Sequence, residues 1–280
     1  MSTCVRSQPD RSSRSDARRM ATAIRLRAVR MVAPQGFGYL GQALSSAEQF
    51  AALYSSVLRV GVDRIVVSPA HYVIAAYAAA AEMGLLDDEA LATYGKDGSS
   101  LEAIGTERTP LLDYTCGSLG QGLSAAVGFA LSDRLKGRPE PRTFAFVSDG
   151  ELEEGQVWEA AMFAGHQRLS RVTVLLDANN SQVDGAVDTI TTIEPIADKW
   201  RDFGWDATDI DGHDVDVIIE ALGSGADATR PQVIVCRTST VHGLDCLPPD
   251  ADGHFIKLPP ELADLALAEL TEKLGRHAGA

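Results

Sequence analysis

Short apolar runs alternate with longer amphipathic or alanine-rich stretches along most of this 280-residue chain. Runs of four to six apolar residues bounded by polar or glycine positions suit buried strands, whereas apolar positions recurring every three to four residues suit helices. The pattern predicts strands at 64–67, 143–147, 172–176, 205–208 and 232–237. It predicts helices at 21–32, 152–168, 196–203 and 213–222, with a last one from about Pro260 to Leu274. Two more are alanine-rich: one runs from the turn Ser68-Pro69-Ala70-His71 to about Met83, the other spans 123–135. Ser45 or Ser46 is the expected cap of a helix reaching about Arg59, and Glu48 after Ser45 fits a capping box. Residues 85–114 read as mixed and loop-rich. Apolar strands alternating with helices predict a three-layer α/β domain, a central mostly parallel sheet with helices on both faces.

Composition narrows this picture. Hydrophobic residues make up 45% and charged residues 23%, enough for a substantial core. One domain is expected over 21–280. The stretch 1–20 is Ser- and Arg-rich without periodicity and reads as a disordered tail, with a transit peptide as the alternative. No apolar run reaches the roughly 18–20 residues needed to cross a bilayer. The formal net charge of −14 disfavours nucleic acid as a partner. The four cysteines form no CxxC pair, so a reducing cytoplasm is expected.

Candidate chemistry gathers where strands end. Ser148-Asp149-Gly150-Glu151 follows one strand and Asn179-Asn180 the next. Ligands of open α/β sheets bind outside the carboxyl ends of strands, and sequential parallel strands are usually neighbours. A carboxylate, an amide oxygen and a loop carbonyl suit a hard divalent cation, and glycine beside the Asp admits a diphosphate. A helix-capping Asp and an ordinary Asn-Asn turn would give the same spacing. Gly117-Ser118-Leu119-Gly120-Gln121-Gly122 precedes a helix and is neither a Rossmann nor a Walker loop. It can cradle phosphate or permit close packing. His71, His242 and His254 are candidate polar contacts, and no His pair has helical metal spacing. Glu154 and Glu159 lie on the helix after the Asp-Gly loop, where a solvated face is the plain alternative.

Taken together these segments resemble the thiamine-diphosphate enzymes, and most closely the N-terminal part of transketolases. The cofactor motif runs from Asp149-Gly150 through Glu154-Gly155 and Glu159-Ala160 to Asp177-Ala178-Asn179 and Val183-Asp184-Gly185, with Ser148 where the family has Gly. Ile24–Val60, Ser68–Gly84, the glycine loop and Asp211-Gly212-His213-Asp214 extend the likeness over about residues 21–275. The resemblance implies thiamine diphosphate held through Mg2+, with Ca2+ or Mn2+ as alternatives. It implies Asp149, the Asn179 side chain and the Ser181 carbonyl as metal ligands. Gly150, Glu151, Gly117, Leu119 and His71 are then expected around the cofactor, and His71 and His254 near the reaction centre. Glu154 and Glu159 match acids that link paired active sites across a subunit interface.

Transketolases continue into domains that bind the aminopyrimidine ring and supply its activating glutamate. The resemblance therefore implies an N-terminal subunit working with a separate C-terminal subunit, in an α2β2 assembly, to move a two-carbon ketol unit from a ketose to an aldehyde. Two family histidines are replaced: Tyr39 follows Gly38, and Ile104 lies nearest the second position in Ser99–Pro110. A phenol and an alkyl chain alter hydrogen bonding and charge on the substrate side. The expected acceptor is thus not an ordinary pentose phosphate but an aldehyde of a specialised biosynthetic pathway, a carrier-tethered one included. Tyr39 and His242 are the substrate-side candidates. Rival readings are a 2-oxo-acid dehydrogenase E1 subunit, a deoxyxylulose-phosphate synthase, or a non-catalytic binding or regulatory subunit.

Overall fold

The computed structural model describes residues 14–225, 229–248, 251 and 253–277. Its helices are α1 (Arg14–Val32), α2 (Leu40–Ala52), α3 (Val73–Glu82), α4 (Asp88–Leu91), α5 (Gln121–Leu135), α6 (Gly155–His166), α7 (Val187–Ile190), α8 (Ile196–Asp202), α9 (Val215–Ser224) and α10 (Pro260–His277). Its strands are β1 (Phe37–Gly38), β2 (Arg64–Pro69), β3 (Tyr114–Cys116), β4 (Thr143–Ser148), β5 (Val172–Ala178), β6 (Asp206–Asp211), β7 (Gln232–Arg237) and β8 (Ile256–Lys257).

Six strands form one parallel sheet in the order β3-β2-β4-β5-β7-β6. The central strands β4 and β5 are buried along their whole length, as strands covered on both faces must be. Alternation along β4 divides the two cores. Phe144 and Phe146 point into a core with α1, α2, α3, α9 and α10, where Phe146 stacks on Phe50 at 3.8 Å. Ala145 and Val147 point into the other, with α5, α6 and α8. This is the three-layer α/β arrangement expected from the sequence. A separate ribbon pairs β1 antiparallel with β8, Phe37 opposite Lys257 and Gly38 opposite Ile256.

Three expectations need correcting. Helix α1 begins at Arg14 rather than near residue 21: Ala17 and Met20 are buried, and Arg18 and Arg19 pair with Asp216 and Glu82. The rest of the expected tail, 1–13, lies outside the described residues. Helix α2 starts at Leu40 with Tyr39 as its cap, so Ser45 and Ser46 are interior and buried, and no capping box forms. Its end is a wider turn, closed by Leu58 N–H to the Leu53 carbonyl at 2.9 Å. The helix expected from Leu152 is preceded by a tight 3-10 turn at Gly150–Glu153, and only α6 beyond it is α-helical.

Candidate active site

Because β4 and β5 are neighbours with Ser148 opposite Asp177, the loops that follow them leave the sheet side by side. Asp149, nearly fully buried, accepts from Asn180 N–H at 2.5 Å and from Gly150 N–H at 2.8 Å. Burial, and next the charge of Asp177, push its carboxyl up to about 7. Asn180, whose N–H makes the first of these bonds, holds a left-handed backbone conformation (φ 56°). A Cβ built on Gly150 would sit 3.2 Å from the Gln182 side chain, so the chain passes closely here. A cavity of about 310 Å3 opens beside Asp149 and Asn180, lined also by Asp188, Glu194 and Arg237.

Asn179 is oriented from below. Its Nδ2 donates to Asp177 Oδ2 at 2.7 Å and to the Tyr72 hydroxyl at 3.0 Å, while Oδ1 accepts from Ser181 N–H at 2.9 Å. Asp177 accepts besides from Ser45 Oγ (2.6 Å), Gln49 Nε2 (2.9 Å), Tyr72 Oη (2.8 Å) and Thr238 Oγ1 (2.6 Å). A flipped Asn179 amide would set oxygen against this carboxylate, so the oxygen stays on the loop side. Burial and Asp177 raise the Tyr72 phenol far enough to keep it a donor.

The glycine loop packs across from this turn. Gly122 lies against Ser68, where a Cβ would come within 2.4 Å of Ser68 Oγ, and Gly120 holds a left-handed φ of 85°. Gly117 and Leu119 are exposed on the same loop. Glu151 does not face out with them. It is fully buried, and its Oε1 accepts from Gly120 N–H at 2.7 Å and from Ser68 Oγ. Burial pushes it up to about 7. The structure therefore corrects the expectation of a direct cofactor contact: Glu151 ties the glycine loop to the end of β2. Glu154 and Glu159 are exposed, Glu154 close against Gly120.

Three of the expected residues form one group of rings. His71 lies 5.1 Å from both Tyr39 and His254, and Tyr39 meets His254 edge-on at 5.9 Å. Phe255 closes the group at 5.2 Å from Tyr39. Burial, then His254, depress His71 to about 3, so its imidazole is neutral at ordinary pH. His242 is elsewhere, stacked on His213 at 3.6 Å, with Nε2 4.0 Å from Glu48. His242, expected on the substrate side along with Tyr39, is thus not part of the ring group around Tyr39. Glu48, His213 and His242 have the only metal-like spacing of such groups among the described residues. Their hydrogen bonds oppose a cation: Ser239 N–H occupies His213 Nε2 at 2.8 Å, which leaves Nδ1–H pointing at Glu48, itself held by Arg25 at 2.6 Å.

Sequence reasoning gave Asp177, Tyr72, Ser45, Gln49 and Thr238 no role in orienting Asn179. A signal existed in α2, where Gln42, Ser45 and Gln49 recur at helical spacing within a wholly buried helix.

The transketolase thiamine diphosphate binding domain family matches residues 16–276. The 6-deoxy-6-sulfo-D-fructose transketolase subunit of Clostridium sp. (strain MSTE9) is 37% identical, covering 92% of this chain and 97% of its own. An apulose-4-phosphate transketolase subunit from Phocaeicola vulgatus is 29% identical, covering 89% of this chain and 92% of its own. The crystal structure of transketolase from Campylobacter jejuni shares the fold with a TM-score of 0.83 at 24% identity, over 92% of this chain but 42% of that one. Against human transketolase, 27% identical, the chain likewise spans 44% of the length. With a family match that runs from α1 to α10, the chain belongs to the transketolase family, as its thiamine diphosphate binding domain.

Proposed function

We propose that this chain is the diphosphate-binding N-terminal subunit of a two-component, thiamine-diphosphate- and Mg2+-dependent transketolase. The observation that carries the reading is the placing of Asp149 and Asn179 on the loops that follow two adjacent parallel strands, with Asn180 N–H bonded to Asp149 and a glycine with little room for a side chain beside it. The residues fit the group. A divalent cation would draw the buried Asp149 carboxyl back to its charged form, and Asp177 holds the Asn179 oxygen on the loop side. In this proposal Asp149, Asn179 Oδ1 and the Ser181 carbonyl hold Mg2+, and Ca2+ or Mn2+ could replace it. Gly150, Gly117 and Leu119 border the diphosphate. When bound, thiamine diphosphate supplies the nucleophilic carbon for cleaving and remaking the C–C bond. The chain's own work is to bind, to orient and, through neutral His71 and through His254, to offer hydrogen bonds to the sugar. Glu154, exposed beside Gly120, and Glu159, exposed on α6, are proposed to face a second active site across an assembly of the α2β2 type.

The remaining machinery is proposed to reside on a separate C-terminal subunit. In support, two relatives of similar length are named as subunits, and this chain spans under half of the full transketolases. Those relatives are named for 6-deoxy-6-sulfo-D-fructose and apulose 4-phosphate, and all carry transketolase names rather than decarboxylase ones. With Tyr39 and Ile104 in place of family histidines, this favours ketol transfer to an aldehyde other than an ordinary pentose phosphate, a carrier-tethered aldehyde among the candidates. Among the described residues no helix is long and apolar enough to cross a membrane, and a cytoplasmic site is part of the proposal. Calorimetry tests the site: thiamine diphosphate with Mg2+ should bind in the presence of the partner subunit, and Asp149→Ala should abolish it. Equal binding by Asp149→Ala would overturn the assignment. High turnover of ribose 5-phosphate would overturn the acceptor reading.

A further inference from the structure

Gln42 sits inside α2 with 1% of its surface exposed. Its Nε2 donates to the carbonyl oxygen of His254 at 3.0 Å and faces Nδ1 of the same residue at 3.2 Å. A carbonyl oxygen only accepts, so the Gln42 atom opposite it is the amide nitrogen; the flipped amide would set oxygen against oxygen. That nitrogen carries two hydrogens, one for each acceptor. Nδ1 of His254 is therefore an acceptor, and a neutral imidazole with an accepting Nδ1 carries its proton on Nε2.

Two further observations set this contact apart from ordinary core packing. The other end of the amide gains nothing, since Gln42 Oε1 is buried without a hydrogen-bond partner. An apolar side chain would avoid the cost of that unpaired acceptor. The backbones are also held together without slack. A Cβ on Gly41 would lie 1.8 Å from the Gly253 carbonyl oxygen, and one on Gly253 would lie 2.0 Å from Thr240 Oγ1. The imidazole so held lies beside His71 and Tyr39, at the group of rings already described.

We infer that Gln42 is a positioning residue for substrate recognition: it locks His254 as the Nε2–H tautomer, so that the ring presents a hydrogen-bond donor to an oxygen of the sugar. The inference rests on the reading of His254 as a substrate contact given above. It adds the residue that decides which ring nitrogen donates.

The test combines a tautomer measurement with kinetics. In the full chain with 15N-labelled histidine, the His254 nitrogens should report Nε2 protonated and Nδ1 bare. Gln42→Met keeps the length but removes both donors, and should give a mixture of tautomers. Gln42→Glu puts acceptors in their place, and should move the proton to Nδ1. With the partner subunit, thiamine diphosphate and Mg2+, Gln42→Met should raise the donor KM roughly tenfold with kcat within about twofold, as loss of an interaction made equally in ground and transition states does. Cofactor affinity should not move. A protonated Nδ1 in the unaltered chain would overturn the inference, as would an unchanged KM in Gln42→Met. Should Gln42→Met fail to fold, the tautomers of the unaltered chain and of Gln42→Glu decide. If Nδ1 is bare but ketol transfer is absent with the partner, the proposed function falls while the hold of Gln42 on the ring stands.

Discussion

Asp177 never reaches the surface, yet five side chains donate to it, and through it Asn179 is aimed. Asp149 and Asn179 were legible in the sequence because each follows an apolar strand and sequential parallel strands tend to pair. The role of Asp177 was not, since a strand end that turns inward looks the same in sequence as one that turns outward. Glu151 misleads for a related reason: beside Gly150 it reads as facing a ligand, but the tight turn at Gly150–Glu153 rotates it into the core. Its removal should therefore act on stability. Glu151→Leu strips Gly120 N–H of its acceptor and should cost about 1–3 kcal/mol in denaturant unfolding. Glu151→Gln keeps an acceptor oxygen and should cost less; equal losses would show that the bond to Gly120 is not what matters. Glu48 gives a pH signature. Burial would raise its carboxyl, but Arg25 and His213 hold it down at about 2, against an ordinary 4.5. A depressed acid contributes stability above its unfolded pKa and loses it as the pH falls through the folded one. The stability gap between the unaltered chain and Glu48→Gln should be full above about pH 4.5 and close towards pH 2. A gap that is flat over that range would remove the Arg25 pair as its source.

At the scale of elements, the strongly patterned strands β4, β5 and β7 were readable because both their faces are buried. Strand β3 has three residues at a sheet edge and leaves no period to detect. Helix α2 deceives because all thirteen of its residues are buried, serines included, so Ser45 looks like a cap when it is a tether to Asp177. Close contacts between elements are likewise invisible in a pattern of apolar positions. Helix α6 meets the turn after α8 at Gly165, where a Cβ would lie 1.8 Å from the Phe203 carbonyl oxygen. Backbone cannot give way as a flexible side chain can. Gly165→Ala should cost at least about 1–3 kcal/mol, read as a lowered Tm. Gly128 on α5 has nothing within 4 Å of a built Cβ, and Gly128→Ala should be neutral or stabilise by up to about 1 kcal/mol. If the two substitutions shift Tm alike, the close approach of α6 is not what constrains Gly165.

Over the whole molecule, the sheet gathers the candidate cofactor residues at the carboxyl ends of its strands, and the ring group lies beside them. If the remaining groups reside on another chain, the purified protein should show no ketol transfer alone and gain it on mixing with the C-terminal subunit. Turnover by the single chain in a coupled assay would refute that division. The β1–β8 ribbon has one more consequence, and it concerns time. It joins residues 37 and 38 to residues 256 and 257, so Tyr39 and Gln42 meet a histidine that lies 212 residues beyond Gln42 in the sequence. Contacts so distant along the chain close late, after most of the domain is in place. During synthesis the cofactor loops at 149 and 179 emerge before His254, so the substrate side of the pocket is the later of the two to be made.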